Sequence, residues 1–180
     1  MHLLTKYIVC TVMLFLSAMT GNAVCAATTD ITAEITDGSC QISLDSNSIT
    51  FETKYSTQFA TGTAAIRPLV VNLNCENMTG LAPAMKVTGE SSGVSDTRLF
   101  RAASSTASYV GFMLKKGNLT NLAEFYNAEG TVAPEDVVGI AQGDGNSVQQ
   151  FSVGLVHGAG DPMFGSGTVN AKITFAFIFP

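Results

Sequence analysis

Gly167-Thr-Val-Asn-Ala-Lys-Ile-Thr-Phe-Ala-Phe-Ile-Phe-Pro180 closes the chain, and Val169, Ala171, Ile173, Phe175, Phe177 and Phe179 fall on one face of it by the two-residue period of a strand. The opposite face is mostly polar. Six apolar positions on one side of a terminal strand exceed what the edge of a small sandwich needs, and an uncovered apolar edge invites aggregation. Periodicity alone fits either a last core strand or an edge that something else must cover.

A second, weaker alternation lies towards the other end, where Ile31, Ala33 and Ile35 stand between Asp30, Thr32, Glu34 and Thr36, just before Asp37-Gly-Ser-Cys40. Three modest side chains bury only a few kcal/mol of transfer free energy. Such a strand needs the edge of another sheet to receive it.

Between these ends, short β-rich runs separated by Gly, Asn and Asp recur, and no long apolar stripe at helical spacing appears. The runs are Ile31 to Thr36, Cys40 to Leu44, Ser48 to Glu52, Leu69 to Cys75, Ala84 to Thr88, Ser108 to Lys115, Val148 to Val156 and Thr168 to Phe179. Seven or eight such strands predict an all-β, immunoglobulin-like sandwich. Residues Asn121 to Asn127 have room for one helical turn, and the glycine-rich run Gly139 to Gly145 reads as a hairpin loop with Asp144-Gly145 at its tip. No Lys-Ser or Lys-Thr follows that run, so it is not a phosphate cradle.

The first 27 residues are of another kind: Lys6, an apolar run from Tyr7 to Leu16, then small residues to Ala27. This order predicts a secretory signal peptide, too short and too interrupted for a membrane span. Of the four cysteines, Cys10 and Cys25 lie in it. Cleavage after Ala26 or Ala27 leaves Cys40 and Cys75 as an even pair for an oxidising compartment. They stand 35 positions apart at the ends of strand runs, and a disulfide there would be structural. Two cysteines without a nearby His cannot complete a tetrahedral zinc shell, so no metal site is expected.

The chain carries nine Lys or Arg against fourteen Asp or Glu, a net charge of −5, with neither sign clustered. That offers nothing to a nucleic-acid backbone. Beyond the leader the only histidine is His157, at the end of an apolar strand, and no motif supplies it with a serine or cysteine nucleophile. The adjacent acids Glu135 and Asp136 follow Pro134 in a loop and make no glycosidase pair. Neither an enzyme nor a cofactor is expected. With no Trp and four Tyr, the usual stacking platforms of a sugar-binding module are missing as well.

These residues together resemble the pilins of chaperone-usher fimbriae, particularly the type 1-like subunits, over the whole chain beyond the leader. Pilins of this group carry an apolar residue, a Gly and an aliphatic residue at nine, seven and five places before the first cysteine, where this chain has Ile31, Ala33 and Ile35. Their second cysteine ends a strand like Arg67-Pro-Leu-Val-Val-Asn-Leu-Asn-Cys75. They have a Gly fourteen places from the end, here Gly167, then an alternating strand and a penultimate Tyr, here Phe179. Ser108-Tyr-Val-Gly-Phe-Met-Leu-Lys-Lys-Gly117 resembles the family's mid-chain strand and turn. Ala33 for Gly and Phe179-Pro180 for Tyr and a polar residue are the two departures.

The resemblance implies an incomplete immunoglobulin-like sandwich that lacks its seventh strand and is completed by a donor strand from a partner. On that pattern residues 1–27 are the leader, 28–38 a donor extension and 39–180 the pilin domain. Ile31, Ala33 and Ile35 would be donor side chains. Gly167, Val169, Ala171, Ile173, Phe175, Phe177 and Phe179 would form the acceptor strand, with Pro180 supplying a carboxylate for the chaperone. The implied partners are a periplasmic pilus chaperone, an outer-membrane usher and neighbouring pilin subunits, with export through the periplasm to the cell surface and no membrane insertion. The implied function is that of a structural fimbrial subunit in cell adhesion, most similar to an adaptor or shaft pilin. The alternative is an adhesin module that binds a receptor or glycan through its own loops.

Overall fold

The two longest strands pair with each other at the centre of the fold. Strand β2 (Thr63–Glu76) lies antiparallel to β8 (Gly145–His157), with Leu69 opposite Phe151. The inward rows, Leu69, Val71 and Leu73 on one strand and Phe151 and Val153 on the other, are at most 5% exposed. β1 (Ser39–Leu44) adds to the free side of β2. β5 (Val110–Lys116) adds to β8, followed by the short β4 (Leu99–Phe100) and β6 (Thr131–Val132) on β5. The first sheet therefore runs β1-β2-β8-β5-β4 with β6 off this path. The computed structural model describes residues 38–126, 129–141, 143–158 and 165–179, all within the unit Thr36–Pro180.

The second sheet is smaller. β3 (Ala84–Thr88) stands between β7 (Val137–Gly139) and β9 (Thr174–Ile178), antiparallel to both. Its inward residues Met85 and Val87 meet Val71, Leu114 and Phe151 of the first sheet in one core. The fold is an all-β sandwich of two antiparallel sheets.

Pro68 lies inside β2, where a missing N–H would normally break a ladder. β1 reaches only as far as Val71, so among the described residues β2 has no neighbour on that side at Pro68. The last rung is closed by Asp45, whose N–H donates to Val70 O and whose Oδ1 accepts from Val70 N.

The outer face of the first sheet is covered near β5 and β8 by a one-turn helix, α1 (Leu122–Phe125), capped by the Asn121 side chain accepting from Ala123 N at 3.1 Å. Phe125, 1% exposed, drops onto Gly154, where any Cβ would run into its ring. Leu99, Met113, Tyr126 and Val156 complete this second apolar layer.

Several sequence expectations are corrected. Ser48 to Glu52 is not a strand: Ile49 and Phe51 alternate inward and pack on the core, but the backbone joins no ladder. Only Thr174–Ile178 of the run Thr168 to Phe179 pairs as a strand. The stretch before it is taken up by a loop, with Thr106 and Ala107 N–H donating to Thr168 O and Ala102 N–H to Asn170 O. Gly139 to Gly145 is not a hairpin loop, because it links β7 of one sheet to β8 of the other. The helical turn at Asn121 is present. The leader and the run Ile31 to Thr36 lie outside the described residues.

Candidate functional site

Two strand edges face each other across the mouth of the sandwich, and among the described residues neither has a second neighbour. β1 pairs only with β2 and β9 only with β3. Their inward rows are half-buried: Cys40, Ile42 and Leu44 on β1, and Ile173, Phe175 and Phe177 along the terminal segment. Each row packs on the core without being sealed by it. Between the two edges lies a cleft of about 460 Å³, walled by Ile42 and Leu44 on one side and Ile173 and Phe175 on the other. Ser43, Asn47 and Thr174 complete the lining, which contains no ionisable group. Edges that no described strand pairs, flanking an uncharged cleft of alternating apolar and polar side chains, have the geometry that strand addition uses.

Each wall is fixed by identifiable contacts. Cys40 sits directly opposite Cys75 and is bonded to it, S–S 2.04 Å, which ties the start of β1 to the end of β2. Phe175 leans on Phe151 with centroids 5.4 Å apart. The segment leading into β9 is held by the loop 102–107, and that loop is held by Arg101. Buried at 6% exposure, Arg101 donates to the carbonyls of Ser92, Ser105 and Ala107. Gly167 fits beside this loop because a Cβ would lie 2.5 Å from Ala107 N.

The anticipated acceptor row is thus only partly brought together. Ala171, Ile173, Phe175 and Phe177 line one continuous face. Val169 packs instead with Ala64, Val110 and Leu155. Phe179 is 41% exposed and touches the Phe177 ring edge-on at 4.9 Å. Ile31, Ala33, Ile35 and Pro180 lie outside the described residues. The opposite wall was missed, although the alternation of Cys40, Ile42 and Leu44 carried the signal.

The ionisable cluster lies elsewhere, over the second apolar layer. Asp96 accepts two bonds from the Arg98 guanidinium, 2.9 and 2.7 Å, and one from the Tyr126 hydroxyl, 2.6 Å. The Arg98 hydrogen bonds hold its carboxyl down at about 2 despite burial. Lys115, fully buried, donates to Thr131 Oγ1 at 2.6 Å, and desolvation lowers its pKa. The Asp96–Tyr126 bond ties the end of α1 to the loop before β4, and the Lys115–Thr131 bond ties β5 to β6. Among the described residues no group of three or more His, Cys, Asp or Glu could hold a metal ion, and no helix is long and apolar enough to cross a membrane.

No family model and no curated protein matches the chain. Solved structures do. The chain has the fold of the P pilus rod subunit PapA, with a TM-score of 0.52 at 13% identity over 77% of this chain and 99% of that one. Other matching structures include the CupB6 tip adhesin of Pseudomonas aeruginosa (TM-score 0.48, 14% identity, 66% of this chain) and an antigen and type I fimbria protein of Burkholderia pseudomallei (0.49, 13%, 79% of this chain and 99% of that one). The chain spans 31% of the length of the tip adhesin.

Proposed function

We propose that this chain is a structural subunit of a bacterial fimbria of the chaperone-usher type, joined to its neighbours by strand addition. The groove between β1 and β9 receives a strand, and residues 28–38 donate one. The observation that carries this reading is the pair of unpaired edges whose facing apolar rows, Ile42 and Leu44 against Ile173 and Phe175, are left half-buried around a cleft of about 460 Å³. The sandwich shared with a pilus rod subunit supports it.

On this reading residues 1–27 direct export, 39–180 form the receiving domain, and the protein reaches the cell surface. A chaperone strand first fills the groove, while basic chaperone residues hold the Pro180 carboxylate. At the usher, another subunit's extension replaces that strand. Ile31, Ala33 and Ile35 of this chain would enter the groove of its own neighbour. The work is assembly: main-chain hydrogen bonds supply affinity and alternate side chains set register.

The test is solubility. The chain without leader, chaperone or donor should aggregate, because a contiguous apolar trough of this kind is rarely tolerated on a monomer. Fusing a copy of residues 28–38 behind the C-terminus should give a soluble monomer. A stable monomer with an empty groove overturns the reading. The donor assignment is tested separately by Ala33→Leu, which should still form the chaperone complex but fail to enter fibres.

A further inference from the structure

The terminal wall of the groove is gripped in two different ways. Thr174–Ile178 is held as β9 by its ladder with β3. Ahead of it, Thr168 and Asn170 are held by the loop 102–107. Thr106 N and Ala107 N donate to Thr168 O, and Ala102 N donates to Asn170 O. Ser105 Oγ donates to Asn170 O and accepts from Asn170 N, both at 3.1 Å. Backbone groups of an extended chain point to alternate sides. The even-numbered positions are thus spent on the loop, while Ala171 and Ile173 make no backbone bond among the described residues and pack their side chains on the core.

The loop is braced in turn by Arg101. Its Nη1 donates to Ser92 O at 2.6 Å, and its Nη2 to Ser105 O at 3.0 Å and Ala107 O at 2.7 Å. Gly93, at φ 68°, leaves the guanidinium room, since a Cβ there would lie 2.8 Å from Nη1. Among the described residues Arg101 makes no ion pair, and its Nε is buried without a hydrogen-bond partner. Desolvating a guanidinium without a counter-ion costs more than burying an apolar residue of similar volume. Stability alone does not call for an arginine here.

We infer that Arg101 is a positioning residue for strand receiving: through the loop it braces, it extends the acceptor row ahead of β9 to Ala171 and Ile173 and so sets how much of a donor strand the groove reads. This rests on the reading of the groove between β1 and β9 as a strand receiver. Without the brace, the ladder with β3 still presents Phe175 and Phe177. The row ahead of them loses its fixed support, and the cost of ordering it falls on the incoming strand.

The test uses the chaperone complex of the full chain and a synthetic peptide of residues 28–38, with displacement of the chaperone as the readout. Two altered peptides carry Ile31→Ser or Ile35→Ser, one at each end of the apolar row. On the unaltered chain each should displace more slowly than the parent peptide. Arg101→Met keeps an unbranched apolar side chain and removes the donors. It should slow the parent peptide about tenfold, the worth of one aliphatic contact. It should also make one of the two end substitutions silent while the other costs as much as before, because only the end over Ala171 and Ile173 goes unread. Ser105→Ala, which cuts the side-chain bonds to Asn170 and leaves Arg101 in place, should show the same selectivity more weakly. A purely structural Arg101 would slow all three peptides by one factor and keep both end substitutions costly. That result overturns the inference, as does normal displacement by every peptide. If Arg101→Met forms no chaperone complex, the Ser105→Ala selectivity decides. If the parent peptide does not displace the chaperone from the unaltered chain, the strand-receiver reading itself fails.

Discussion

The first sheet buries its two faces in different ways. On the outer face the chain supplies its own cover: α1 lays Phe125 onto Gly154, and Leu99, Met113, Phe125 and Val156 are at most 1% exposed. On the inner face the cover stops at the edges. Val71 and Phe151 are sealed between the sheets, while Ile42, Leu44, Ile173 and Phe175 flank an open cleft. Among the described residues the chain closes one apolar surface with a single helical turn and leaves the other open. An apolar surface left open beside two edges that no described strand pairs is what the proposed strand addition would cover, and the closed one shows what a covered surface of this protein looks like.

The largest expected difference between the two regions is in the cost of removing an aromatic ring. Phe125→Ala should destabilise the strand-complemented protein by about 3–5 kcal/mol, the usual range for a sealed aromatic. Phe175→Ala should cost only about 1 kcal/mol where a shortened donor strand leaves the ring uncovered, since a half-buried ring has half its transfer energy to lose, and distinctly more once a full donor strand covers it. Denaturant unfolding of the fused protein with the shortened and with the full donor strand checks this. Equal costs for Phe175→Ala in both states would mean that the donor does not lie over this row.

The second effect tests the wall of the open side. Replacing Cys40 and Cys75 by Ala releases a loop of 35 residues, which loop-closure entropy rates at about 3–4 kcal/mol. Because Cys40 anchors the start of β1, the variant should also lose affinity for a donor peptide, while Phe125 and the α1 layer stay protected from hydrogen exchange. Uniform loss of protection in both regions would show that they are not separable units.

The comparison also explains what was legible in the sequence. β3 was read with its limits, Ala84 to Thr88, because alternation is a local signal, and the helical turn for which Asn121 to Asn127 had room is present as α1. The apolar row from Ala171 to Phe177 was equally visible. Alternation reports which side chains go inward, however, and not whether a backbone finds a partner. Ser48 to Glu52 shows the distinction: Phe51 packs against Phe112 with centroids 5.4 Å apart, yet its backbone joins no ladder. β4, β6 and β7 span two or three residues each and exist because a neighbouring strand is there to pair with. The crossing of Gly139 to Gly145 between sheets and the edges of β1 and β9 that no described strand pairs are properties of topology. No window of sequence contains them, and only the family resemblance implied a sandwich that a partner's strand completes.

The smallest effect concerns acid and should strike the closed side first. Asp96 is held at about 2, below its ordinary 3.8, chiefly by hydrogen bonds from Arg98 and also by the Tyr126 hydroxyl. A carboxyl depressed on folding contributes stability that is fully present above its unfolded pKa and disappears as pH falls through the folded one. The window therefore runs from about pH 4 down to about pH 2, and the contribution is about 2 kcal/mol at most, reduced because the Arg98 side chain is 48% exposed. Tyr126 belongs to the α1 layer, whereas the groove lining holds no ionisable group. Acid should accordingly loosen the α1 layer while donor-strand binding at the groove stays nearly constant over the same window. Asp96→Asn should flatten the acid limb of the stability curve and leave the groove's affinity for a donor peptide unchanged at every pH. An acid loss of peptide affinity in the unaltered protein that Asp96→Asn abolishes would show that the groove depends on the closed side after all, and that the two regions are one cooperative structure.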